Sequence, residues 1–160
     1  MQVLTHANDY RLEKDRVPVV LVTVTGERIA GEVFVQPFTM NHRGPEEVID
    51  LLNGPDAFFP LRCEDGAIRF FLKDRVLQAE LDEDSPDVDG RRACAREAQV
   101  EVALAPGLAF RGSITYEVPS ARPRLLDFLN RLELRFLQVH TGDGCRLVNW
   151  RLMDSLRPLD

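Results

Sequence analysis

Arg124–Leu137, RLLDFLNRLELRFL, has an earlier version in the same chain at Glu47–Leu61, EVIDLLNGPDAFFPL. Both open on an apolar helical turn holding an Asp, continue with two apolar residues and an Asn, and reach a Phe after a short gap. At a constant offset of 77, Asp50, Leu52, Asn53 and Phe59 align with Asp127, Leu129, Asn130 and Phe136. Matches in register read as duplication, and duplication decides the architecture before any other feature.

The match extends both ways. VVLVTVTGERIAGEVFV (Val19–Val35) lies on VEVALAPGLAFRGSITY (Val100–Tyr116), with Gly26 and Gly31 on Gly107 and Gly112 at an offset of 81. The first copy therefore carries four extra residues between its second strand and its helix. Downstream, FFLKDRVLQAEL (Phe70–Leu81) sits against VNWRLMDSLRPL (Val148–Leu159) with a residue or two of slippage. The chain divides into an N-terminal arm or short helix at 1–16, a first repeat at 17–82, a connector at 83–97 and a second repeat at 98–160. A unit of this size buries a small core and is marginal alone, so the copies are expected to share an apolar interface.

Within the first copy, Val19–Val24 is an unbroken β-branched and aliphatic run, suited to a strand covered on both faces. Gly26-Glu27 turns the chain, and Ile29, Val33 and Val35 continue it as a second strand. Gly31, like Gly112, predicts a bend that curls a short sheet. Pro45 suits the first helical position, with Glu46 and Glu47 at the positive end. Asn53-Gly54 predicts a left-handed helix end. Phe58–Leu61, Ile68–Leu72 and Val76–Leu81 supply three more strands. The second copy repeats the order, with a helix at Pro123–Leu129 and last strands near Phe136–Val139, Cys145–Asn149 and Leu152–Leu156. The fold expected is mainly β: two duplicated, five-stranded, barrel-like domains, each strand-strand-helix-strand-strand-strand.

That strand order, with the Gly31 and Gly112 bends, resembles the SH3-like and Sm-like small β-barrels. In Sm proteins the helix precedes the first strand, whereas here it falls between the second and third, so the resemblance does not imply RNA binding. The duplicated pattern is also similar to bacterial domains of unknown function.

The hydrophobic fraction of 44% and charged fraction of 29% are those of a soluble globular chain. No apolar run approaches the roughly 18 residues that span a bilayer, and the first residues lack a signal-peptide core. Cys63, Cys94 and Cys145 are odd in number and scattered, which suits a reducing cytoplasm. The net charge of −6 is uneven: 17–82 holds 11 acids and 6 bases, 99–160 holds 7 acids and 8 bases. An acidic first repeat is a poor partner for phosphate.

Catalytic and metal motifs are missing. His6, His42 and His140 are dispersed, and no Cys has a ligand neighbour at zinc spacing. Asp143 lies between His140 and Cys145, but a polar hairpin turn accounts for it. The chain has no G-x-S-x-G elbow, Walker loop or G-x-G-x-x-G. No enzyme, cofactor or metal is expected. Asp50 with Asn53, and Asp127 with Asn130, persist while charge and loops diverge, which is the behaviour of a structural pair closing a helix.

The loop Gln36–Gly44, QPFTMNHRG, has no counterpart in the second copy. Its Phe38, Met40, His42 and Arg43 make it the leading binding candidate, since Phe, Met and Arg are enriched at interfaces. Trp150, the only Trp, is either an exposed anchor or a lid over the seam between copies. The function expected is a non-enzymatic cytoplasmic adaptor or regulatory module with a protein partner. The alternative is single-stranded nucleic-acid or nucleotide binding by Arg111, Arg122, Arg124, Arg131 and Arg135. Exposed sheet edges also suit a homodimer.

Overall fold

The computed structural model describes residues 15–37, 44–82, 96–105, 107–117 and 124–159. Among them are strands β1 (Asp15–Thr23), β2 (Arg28–Val35), β3 (Phe58–Cys63), β4 (Ile68–Leu72) and β5 (Val76–Leu81). The later strands are β6 (Arg96–Ala105), β7 (Leu108–Tyr116), β8 (Phe136–Thr141), β9 (Gly144–Asn149) and β10 (Ser155–Pro158). Helices α1 (Val48–Asn53) and α2 (Leu125–Leu129) follow β2 and β7, and 3-10 turns at Lys73–Arg75 and Trp150–Leu152 precede β5 and β10. No helix among the described residues is long and apolar enough to cross a membrane.

All ten strands belong to one antiparallel sheet, in the order β10-β6-β7-β8-β9-β5-β1-β2-β3-β4. Each half of the chain therefore lays its strands down as fifth, first, second, third, fourth. The halves meet where β5 pairs with β9, from Gln78 opposite Val148 to Leu81 opposite Cys145. The apolar contact expected between copies is thus a continuous sheet. At Gly31 and Gly112 the neighbouring strand passes too close for a side chain: a Cβ at Gly31 would collide with the Arg62 carbonyl and the Leu61 side chain, and one at Gly112 with the His140 carbonyl and the Val139 side chain.

Burial falls into two clusters. The first gathers Leu21, Val33, Leu52, Phe59, Leu61 and Val76, and also Phe136, Cys145 and Leu147 from the other half. The second holds Val100, Val102, Ile114, Leu137, Val139 and Val148. β9 is covered on both faces because successive side chains alternate across the sheet, Leu147 entering one cluster and Val148 the other.

Four details depart from the sequence reading. Pro45 stands outside α1, whose N-cap is Glu47: its backbone N–H donates to Asp50 Oδ2 at 2.9 Å in a reciprocal capping box. The helix end is not left-handed, since Gly54 has φ −68° and is extended. The last strand is Ser155–Pro158, later than Leu152–Leu156, because the chain first makes the Trp150–Leu152 turn. The Phe match also shifts by one. Leu61 and Val139 lie under equivalent glycines, and Phe59 pairs with Phe71 as Leu137 pairs with Val148. Phe58, not Phe59, therefore holds the place of Phe136.

Candidate interaction surface

Phe38, Met40, His42 and Arg43 lie outside the described residues. Trp150 is half-buried against the second cluster. Its indole Nε1 donates to the Leu134 carbonyl and the Arg151 guanidinium sits 5.5 Å from its ring centroid, so it ties the approach to β8 to the end of β9.

The kept Asp and Asn residues do different work in the two halves. Asp50 caps α1, whereas Asp127 binds Arg124 through two contacts of 3.1 and 3.2 Å. Hydrogen bonds to Asp127 hold the Arg124 guanidinium above its usual range. Asn53 reaches across to the other half. Its Nδ2 donates to the Phe136 carbonyl at 3.2 Å and its Oδ1 accepts the Phe136 N–H at 2.7 Å, as a neighbouring strand would. Asn130, in the same place on α2, is exposed.

Other polar contacts close the same junction. Asn149 donates to the Lys73 carbonyl at 3.4 Å, Arg135 pairs with Asp74 at 2.8 Å, and Arg146 lies 3.9 Å from Glu80. Lys73 is buried, and its ammonium donates to the Gly54 carbonyl at 3.3 Å. Burial first, and the Arg135 charge second, push its pKa down.

The arginines proposed for phosphate are largely engaged. Arg111 and Arg157 both donate to Glu101, at 3.1 and 3.2 Å, and hold its carboxyl below the usual carboxylate range. Arg124 and Arg135 face Asp127 and Asp74, Arg131 is exposed, and Arg122 lies outside the described residues. A groove of about 450 Å³ over Gly31 is lined by Arg16 and Arg62 against Glu32, Glu64, Glu80 and Asp82, an acidic excess that repels phosphate. His140 and Cys145 stand opposite one another across β8 and β9. Among the described residues no three His, Cys, Asp or Glu side chains gather as a metal site.

The sharpest asymmetry lies on the outer face of β3 and β4. By the two ladders, Phe58, Ile68 and Phe70 occupy the places of Phe136, Cys145 and Leu147. The second set is 1–2% exposed, sealed against the first cluster by β5 and α1. The first set is 57%, 48% and 74% exposed. Among the described residues β4 is the last strand of the sheet, with β3 as its one neighbour. Phe71, the next residue, is buried against Phe59 in the core, with the Arg69 guanidinium 4.7 Å from its ring centroid.

Ile68 and Phe70, predicted only as strand residues, are candidates that the sequence pattern could have singled out. The signal was there: Phe58-Phe59 and Phe70-Phe71 are adjacent pairs on strands, so one Phe of each pair must face away from the core. No protein-family model, curated protein or solved structure matches the chain.

Proposed function

We propose that the chain is a non-enzymatic protein-interaction module, an adaptor built from two tandem small-barrel repeats, that docks a protein partner on the outer face of β3 and β4. One observation carries this reading: Phe58, Ile68 and Phe70 are exposed in the places where Phe136, Cys145 and Leu147 are buried. The β5–β9 junction is a working example of how such a face is covered, by a strand laid along the edge. Three large apolar side chains beside an open ladder make a surface that soluble proteins ordinarily cover or blunt. The scattered cysteines suit a cytoplasmic setting.

The test is binding to the wild type, Phe70→Glu and Phe38→Ala chains in parallel, with thermal unfolding as the control. A protein retained by the wild type and by Phe38→Ala, and released by Phe70→Glu at unchanged stability, supports the β4 face. Retention by Phe70→Glu with loss on Phe38→Ala assigns recognition to the loop instead.

A further inference from the structure

We infer that the β4 edge receives a strand from a different protein, with a residue other than a cation facing Arg69, and that this chain's own last strand is barred from it. The inference rests on the docking reading above and names its occupant.

The β5–β9 ladder shows what fits. Gln78, Ala79, Glu80 and Leu81 stand opposite Val148, Leu147, Arg146 and Cys145. The same places on β4 are Phe71, Phe70, Arg69 and Ile68. A strand covering β4 therefore needs a small or apolar residue facing Phe70; Arg69 already pairs with Glu27 at 3.1 Å, so facing it the strand needs an acid or a neutral side chain and not a second cation, where on β5 Glu80 lies 3.9 Å from Arg146 and 2.7 Å from Arg28. It must also leave the edge beyond Ile68. Gly144, just before Cys145, lies so close to the Leu81 carbonyl that a Cβ there would collide, and Ala67 carries that Cβ before Ile68.

The nearest occupant by descent would be β10 of a second copy, since β10 stands to β6 as β5 stands to β1. Leu156 faces Val102 as Ala79 faces Leu21, which puts Arg157 in the place of Glu80 and Pro158 in the place of Leu81. Both are wrong for β4. Arg157 would bring a second cation to Arg69, whose carboxylate partner Glu27 is already engaged, and like charges directly opposite destabilise a ladder. The Leu159 N–H bonds inward to the Gln99 carbonyl at 2.9 Å, so alternation turns the Pro158 nitrogen to the open edge, where proline has no hydrogen to donate. Head-to-tail addition is a heterologous contact that grows into fibres unless it closes. Proline and an edge charge are the usual means of preventing it. The β10 edge is blunted while the β4 face keeps its apolar side chains, which points to a foreign strand.

The test restores the β5 pattern in β10 of the full chain with Arg157→Glu and Pro158→Leu, followed by sedimentation and light scattering over a concentration series. The wild type is expected to be monomeric. The double variant is expected to self-associate, about fivefold more tightly than Pro158→Leu alone, and to return to monomer when Phe70→Glu is added. A double variant that stays monomeric, or associates no better than Pro158→Leu, overturns the inference. Wild-type chains that associate through Phe70 also overturn it, because the edge then serves a second copy, while the docking surface itself stands. Association that ignores Phe70→Glu removes both readings.

Discussion

Replacing Asn53 separates the two uses of the kept asparagine. Asn53→Ala removes hydrogen bonds of 2.7 and 3.2 Å and leaves the N–H and carbonyl of Phe136, a residue 2% exposed, without those partners. Each net hydrogen bond contributes about 1 kcal/mol, and a buried group left unsatisfied costs about 1–3 kcal/mol. The loss should come to about 2–4 kcal/mol, a large part of the roughly 5–15 kcal/mol that holds such a chain together. At this size that lowers Tm by about 5–15 °C. Asn130→Ala, at an exposed helix end, should stay within about 0.5 kcal/mol. Asn53→Asp adds a discriminating arm: a helix-ending role tolerates Asp, whereas the junction sets a carboxylate oxygen against the Phe136 carbonyl. Urea unfolding at neutral pH with matched m-values gives all three numbers. Equal losses for Asn53→Ala and Asn130→Ala would refute the argument that Asn53 joins the halves.

Leu147→Ala should cost about 2–4 kcal/mol, as a buried core truncation does, while Phe70→Ser in the corresponding place should leave stability within about 0.5 kcal/mol; parallel urea titrations compare them. Gly112→Ala should destabilise the fold by more than about 2 kcal/mol, because its Cβ would strike the backbone of β8, and calorimetry should show a lowered Tm with the strand content kept. Lys73 has a folded pKa below the ordinary 10.5, so between those two values the unfolded chain holds more protons. Its contribution to stability must therefore rise with pH across that window, and Lys73→Met should remove this rise while being neutral or stabilising at pH 7; denaturant midpoints against pH read both effects.

Most strands were legible because the chain signals them with β-branched runs and turn residues, and Gly31 and Gly112 marked two places where the next strand leaves no room for a side chain. What could not be read was which residues one half contributes to the other. Phe136, Cys145 and Leu147 fill the first half's core, yet they differ little in type from Phe58, Ile68 and Phe70, which stay outside. Hydropathy reports that a residue is apolar, while the strand beyond the edge decides whether it is covered. Asn53 misled for a related reason. Asn before Gly is a local helix-end signal, but here the side chain is committed to a contact 83 residues away. Pro158 lies within the final strand, where it guards that strand's open side.

Residue-resolved amide exchange tests most directly whether the same edge is covered in one half and open in the other. Alternation along the ladders aims the amides of Cys145 and Leu147 at β5, and those of Ile68 and Phe70 away from β3. Cys145 and Leu147 are expected to exchange slowly, near the global unfolding limit, and Ile68 and Phe70 close to the rate of unpaired backbone. Equal, strong protection at all four amides in the monomeric chain would contradict this, since the β4 edge would then already be covered.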